Sequence, residues 1–221
     1  MSYEVVNENE FEDFNEELQE ESLQEPLKVL KNAWLNEKFA PELLPHKENL
    51  IRFMMQCLSD MEEKLESLEK DDIRITIHTM ELNRIRFLIS SYLRTRLKKI
   101  ENHVIHILKE HRNNLLNNSE EFYLTESELN FAKDYFMNFE TLFQTVALQH
   151  MPEKLRQFDY ENLSVDPNLQ SQVFLTANKE INGIVIPETM EDPVTFEAGS
   201  QHIIQYGVIS KFIKNGDVQL L

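Results

Sequence analysis

Glycine is missing from the first 182 of 221 residues; all four, Gly183, Gly199, Gly207 and Gly216, fall in the last 40. That absence excludes a glycine-rich phosphate loop from most of the chain, because such a loop needs close backbone approach at residues without a Cβ. It also implies few tight turns, as in an array of helices. Cysteine occurs once, at Cys57. A single thiol excludes an intramolecular disulfide and fits a reducing compartment. Beside an apolar repeat, Cys57 reads as a small buried hydrophobe rather than an activated thiolate. No apolar run reaches the roughly 18 residues of a membrane span. The first 25 residues hold no Lys or Arg, so no secretory signal is expected there.

Positive charge is also scarce: 22 Lys and Arg face 39 Asp and Glu, for a net charge of -17. A free-standing, non-specific grip on nucleic acid needs clustered positive charge and is not expected. Ten of the acidic residues lie in the first 25, leaving -7 for the other 196. Residues 1–21 therefore read as an acidic flexible tail. Phe11, Phe14 and Leu18 in it can share one face of a short helix, so the tail is either a solvated charge run or a docking peptide.

What is present is mostly helical periodicity. Leu23, Leu27, Leu30 and Trp34 recur at helical spacing before Pro41 and Pro45. Ile51, Met54, Leu58, Met61, Leu65 and Leu68 step alternately by three and four, a heptad seam laced outside with Glu and Lys. Asp71 and Asp72 are candidate caps for the next helix. Asn113–Glu121 is a polar loop. Thr125 with Glu128 has capping-box spacing and opens a last helix that stops at Met151-Pro152.

The third helix, Ile73–Leu108, is apolar on two sides. At about 100° per residue, Leu82, Ile85, Leu88, Ile89, Tyr92 and Leu93 form one wide stripe, whereas Met80 and Phe87 point the other way. A helix apolar on two sides must be covered twice, and in so short a chain the second cover is expected from another protein. Met80, Ile85, Phe87, Ile89, Tyr92, Arg94 and Arg96 are the predicted interface residues.

Pro152–Gln170 reads as a linker. Beyond it the period shortens: Gln172–Leu175, Ile184–Ile186, Val194–Phe196, His202–Tyr206 and Val218–Leu221 are predicted strands, with a turn at Asn215-Gly216. Ile203, Ile204, Tyr206, Val218 and Leu220 are predicted to pack this module. About 50 residues bury little surface alone, so it is expected to dock on something. The fold class is mainly α: an elongated helical bundle over 22–151, a linker over 152–170 and a small β-rich domain over 171–221.

Chemistry-bearing clusters are thin. Ser90-Ser91 lie mid-helix with no strained turn to expose a nucleophile. His103 and His106 can meet on one helix face, but no Cys or fourth ligand accompanies them. His111 lies one helical step further on. They read as partly exposed helix histidines. His78, His150 and His202 show no catalytic partner. No catalytic, metal or cofactor residue is predicted. The basic run Arg84, Arg86, Arg94, Arg96, Lys98 and Lys99 reads as ion pairing with acidic neighbours before nucleic-acid contact.

Several segments together resemble one family. They are Trp34–Leu44, Ile77–Glu81 running into Arg84-Ile85-Arg86, Ser90–Leu97 with Lys99-Ile100-Glu101, Val146–Pro152, Gly199–Tyr206 and Gly216–Leu221. In this order they resemble the Sld-five family of subunits of GINS, the four-subunit complex of the eukaryotic replicative helicase. The resemblance covers nearly everything from residue 22 on. It implies a helical A domain followed by a small β-rich B domain, and assembly with three paralogous Psf subunits in the nucleus. It further implies a place beside the MCM ring and the Cdc-forty-five protein, with no catalytic residue and no cofactor in this subunit. Family members can carry an acidic-hydrophobic N-terminal peptide that docks on a Ctf-four-type hub. Asp13, Phe14 and Leu18 match its spacing loosely, and Asn15 stands where an apolar residue is expected. Two other readings compete: a homodimeric coiled-coil adaptor on the Ile51–Leu68 seam, and an enzyme, which lacks a coherent site.

Overall fold

The computed structural model describes residues 8–66, 73–116, 123–158, 160, 162–185 and 194–221, with backbone alone for 8–23 and 155. Five helices come first: α1 (Glu8–Phe39), α2 (Glu48–Glu66), α3 (Ile73–Asn102), α4 (Val104–Leu116) and α5 (Glu126–Val146). Two short 3-10 turns follow, Leu148–His150 and Glu153–Leu155. The C-terminal module is β1 (Gln172–Ala177), β2 (Ile181–Ile184), β3 (Val194–Phe196), β4 (Gln201–Gln205), α6 (Tyr206–Asn215) and β5 (Val218–Leu220). The fold is mainly α with a small β-rich C-terminal region, as expected. Among the described residues no helix is long and apolar enough to cross a membrane.

Several elements differ from expectation. The helix predicted over Ile73–Leu108 is interrupted at His103 and then runs on to Leu116. Backbone bonds bridge the interruption, from His103 N–H to Lys99 C=O and from Ile107 N–H to His103 C=O, so the periodicity passes through it. α1 starts at Glu8 and runs through Pro26. Tyr206, predicted to end a strand, begins a helix instead: Tyr206, Ile209 and Ile213 sit three and four apart and are all buried. Asp71 and Asp72, like Leu68, lie outside the described residues. The capping box at α5 is present, with Thr125 and Glu128 each bonding the other's backbone N–H.

The chain packs as two compact units. One takes the described residues up to Ala33 together with those of Glu48–Ile89. Its buried residues include Leu30, Met54, Leu58, Leu82, Leu88 and Ile89.

The other takes Trp34–Lys47 and Ser90–Leu221. Among the described residues it has two apolar cores. In the first, Leu43, Ile100, Val104, Ile107, Leu124 and Ala132 pack with the partly buried aromatic face of α5. The second belongs to the C-terminal module, whose three-stranded antiparallel sheet has the order β4-β1-β5 beside a β2-β3 hairpin. Val173, Leu175, Phe196, Ile204, Ile209, Val218 and Leu220 fill this core, and Ala40 and Leu44 from the segment after α1 complete it. Polar ties reinforce that docking. Leu220 N–H donates to Asn36 Oδ1 at 2.8 Å, Tyr206 OH to Glu42 at 2.8 Å, and Lys214 pairs with Glu42 at 3.2 Å. Of the residues predicted to pack the module, Ile204, Tyr206, Val218 and Leu220 are buried, whereas Ile203 is 61% exposed. Neighbours on a strand point to opposite faces, so Ile203 and Ile204 cannot both enter one core.

The segment between α5 and β1 is strapped down at two places. Phe158 meets Phe136, Phe139 and Phe143 of α5 edge-on, at 6.3, 6.1 and 6.0 Å, and Tyr160 OH donates to Glu140. Further on, His103 Nδ1 bonds Val165 C=O at 2.8 Å and His106 Nδ1 meets Asp166 at 2.8 Å. His106 Nε2 also faces Glu110. The two histidines thus clasp chain, each through a different partner.

Candidate functional site

α3 presents two kinds of surface. Its inward stripe, Leu82, Leu88, Ile89, Tyr92, Arg96 and Ile100, is buried. Its outward stripe carries Ile73, Ile77, Met80 and Phe87 at heptad spacing, all exposed, Met80 at 69%. Ile73, Ile77 and Met80 are large apolar side chains on a contiguous helical stripe, the pattern of a helix face made to be covered. The predicted interface residues divide accordingly. Met80, Phe87 and Arg94 are exposed; Ile85 is half-buried.

Ile89, Tyr92 and Arg96 are instead enclosed by their own chain. Burial, above all, pushes the Tyr92 hydroxyl up to about 12. Ile85 lines an apolar cleft of about 180 Å³ with Leu27, Met54, Cys57, Leu58 and Leu82. Burial raises the Cys57 thiol above its ordinary value, which disfavours the thiolate. Met54 and Leu58 of the heptad seam are buried in the fold as well.

Arg96 is the centre of a closed charge cluster and only 1% exposed. Its Nε and Nη2 donate to the two oxygens of Glu128 at 2.7 and 3.0 Å. Nη1 donates to Glu37 at 3.1 Å and to Leu44 C=O at 2.7 Å, and Nη2 also donates to Tyr123 C=O at 2.6 Å. A guanidinium has five N–H donors, and all five are used. Lys99 donates to the other oxygen of Glu37 and to Glu42 C=O, both at 2.7 Å. The cluster ties the end of α1, the turn after it, α3 and the start of α5. Glu128 serves twice, since its carboxylate also receives Thr125 N–H in the capping box.

The electrostatics follow from that enclosure. Burial alone would raise the Glu128 carboxyl, but Arg96 outweighs it and holds the group below its ordinary value. For Arg96, burial works against the cation and the two carboxylates overcome it, so its value is raised. Lys99 goes the other way: burial lowers it even with Glu37 beside it. The arrangement fixes helices; it does not hold a nucleophile.

One pair escaped the sequence. Ser200 Oγ lies 2.7 Å from His202 Nε2, two residues apart just after the turn at Gly199. Ser200 also donates to Glu197 C=O at 2.6 Å. A hydroxyl has one proton to give, so His202 is the donor to Ser200 and cannot accept that proton. His202 stacks on Phe196 at 4.1 Å, and the pair is a turn clasp. Asp13, Phe14 and Leu18 fall within the α1 backbone, and their side chains lie outside the described residues.

Comparison with known proteins gives the fold its family. The model of the GINS complex protein helical bundle domain matches residues 7–146. The model of the DNA replication complex GINS protein SLD5 C-terminus matches 167–221. The chain belongs to the SLD5 family. Its SLD5 relatives include that of Xenopus laevis, 42% identical over 201 residues, or 89% of this chain and 90% of the relative. That of Homo sapiens is 39% identical over 89% of each chain, and that of Arabidopsis thaliana 28% identical over 88% of this chain and 90% of the relative. The helical part of the SLD5 match contains every charged member of the Arg96 cluster. The strapped segment around Phe158 and Val165 falls between the two matched regions.

Proposed function

We propose that this chain is a non-catalytic, structural subunit of a GINS heterotetramer, built with three paralogous Psf-type subunits and acting in DNA replication in the nucleus. The observation that carries this reading is the exposed apolar stripe Ile73, Ile77 and Met80 on α3, in a chain of the SLD5 family. In this role the four-subunit block joins the MCM ring and the Cdc-forty-five protein and favours the active arrangement of the helicase by binding it selectively. DNA is contacted only indirectly. Co-expression with the three sister subunits tests the stripe. Ile77→Asp with Met80→Asp should release a sister subunit while leaving this chain folded, and retention of all subunits would count against the reading.

The N-terminal segment docks a Ctf-four-type hub through Asp13, Phe14 and Leu18. Titrating a labelled 1–21 peptide with the hub's docking domain tests this; absence of saturable binding, or indifference to Phe14→Ala with Leu18→Ala, would sink it.

A further inference from the structure

β1 lies between β4 and β5, so the sheet has two edges. The register fixes which backbone groups face them. Tyr206 N–H donates to Ser171 C=O and Ala177 N–H to Ser200 C=O, so odd-numbered β1 residues bond toward β4, and His202 and Ile204 bond back. On the other side Leu221 N–H donates to Phe174 C=O and Asn178 N–H to Asp217 C=O, so even-numbered residues serve β5. By the same alternation Gln201, Ile203 and Gln205 turn their N–H groups away from β1.

The chain treats its two edges differently. On β5, the outward Leu220 N–H is met by the Asn36 side chain from α1. Among the described residues β4 pairs with β1 alone, in unbroken register. Gln201-His202-Ile203-Ile204-Gln205 carries no charge and no proline, the usual guards of an open edge. Its outer face is apolar at the centre: Phe174 and Ile203 stand opposite each other, 59% and 61% exposed. The positions around them, Gln172, Thr176, Gln201, Gln205 and Gln219, are all uncharged in a chain that is 28% charged.

We propose that the outer edge of β4 receives an added strand from a sister subunit of the complex, with an uncharged, apolar side chain beside Ile203. This rests on the reading of the chain as a GINS subunit. Added backbone would satisfy the N–H groups of Gln201, Ile203 and Gln205, and the added side chains would cover Ile203. An unguarded edge is an aggregation template when bare. A chain whose described residues leave such an edge open needs a permanent occupant, which selects a subunit over a transient peptide.

The test is residue-resolved amide hydrogen exchange on the co-expressed four-subunit complex. Gln201, Ile203 and Gln205 should exchange at least about tenfold more slowly than unprotected amides. Ile203→Pro removes one outward donor and spares the β1 ladder. In that variant Gln201 and Gln205 should revert to fast exchange while His202 and Ile204 stay slow; if it does not assemble, the unmodified complex decides alone. An intact complex whose outward amides exchange freely overturns this proposal and leaves the subunit reading standing. Protection with a doubled mass makes a second copy the occupant and also overturns it. Failure to assemble any complex takes down both.

Discussion

Arg96 has no donor left to offer a partner, and its value to the fold lies in that completeness. Removing one side of a buried ion pair leaves an uncompensated charge, so Arg96→Ala should cost about 3–5 kcal/mol in denaturant unfolding of the co-purified assembly. Arg96→Lys should recover little, because an ammonium cannot make the two-pronged bond to Glu128. Glu128 gives the cluster a pH dependence. Its folded value is lowered, so its ionised form contributes stability above the ordinary carboxylate range, and that contribution is lost as pH falls through the lowered folded value. Glu128→Gln should weaken the assembly at neutral pH and flatten the acid limb of its stability profile; an unchanged limb would remove Glu128 as the titrating group. Arg96 was expected at an interface because a basic run does not reveal which member turns inward. Helical phase does: Arg96 is four residues from both Tyr92 and Ile100, on the buried stripe, and Arg94 is not. The capping role of Glu128 was legible from Thr125 three residues before it. Its pairing with a residue 32 positions away was not, since nothing local encodes it.

α3 carries the account at the level of elements. Its two apolar sides were legible because Met80 and Phe87 differ in phase from Leu82, Ile89 and Tyr92. The faces predict opposite outcomes. Ile89→Asp places a charge in a buried site and should unfold the chain, at a cost of several kcal/mol, read as loss of soluble protein and of helical circular dichroism. An exposed-face substitution such as Met80→Asp should leave both intact. α6 shows what the period alone misses. Gln205 caps its start without a side-chain hydrogen bond, so no start signal precedes Tyr206, and the strand-like run before it hides the change. The end of α6 was marked by Asn215-Gly216: Gly216 takes a left-handed conformation, φ 82°, and its N–H bonds back to the helix.

In the molecule as a whole, the C-terminal module is not self-contained. Its core takes Ala40 and Leu44 from the segment after α1, and one sheet edge is closed by Asn36. A fragment of residues 171–221 should therefore lack a cooperative thermal transition, and addition of the missing segment in one chain should restore it; a fragment that melts cooperatively by itself would refute the dependence. That the module was too small to stand alone followed from its length. Its docking site did not, because residues 36–44 come from the far end of the sequence. On the proposed reading, the exposed stripe on α3 extends the same logic beyond one chain: apolar surface the fold leaves exposed would be surface for an assembly. Native mass measurement of this chain, expressed alone and with three sister GINS subunits, tests that claim most directly. Together they should give an equimolar four-subunit complex, whereas the folded chain alone should aggregate through that stripe. A well-folded monomer that ignores the sister subunits, or a clean homodimer, would contradict it.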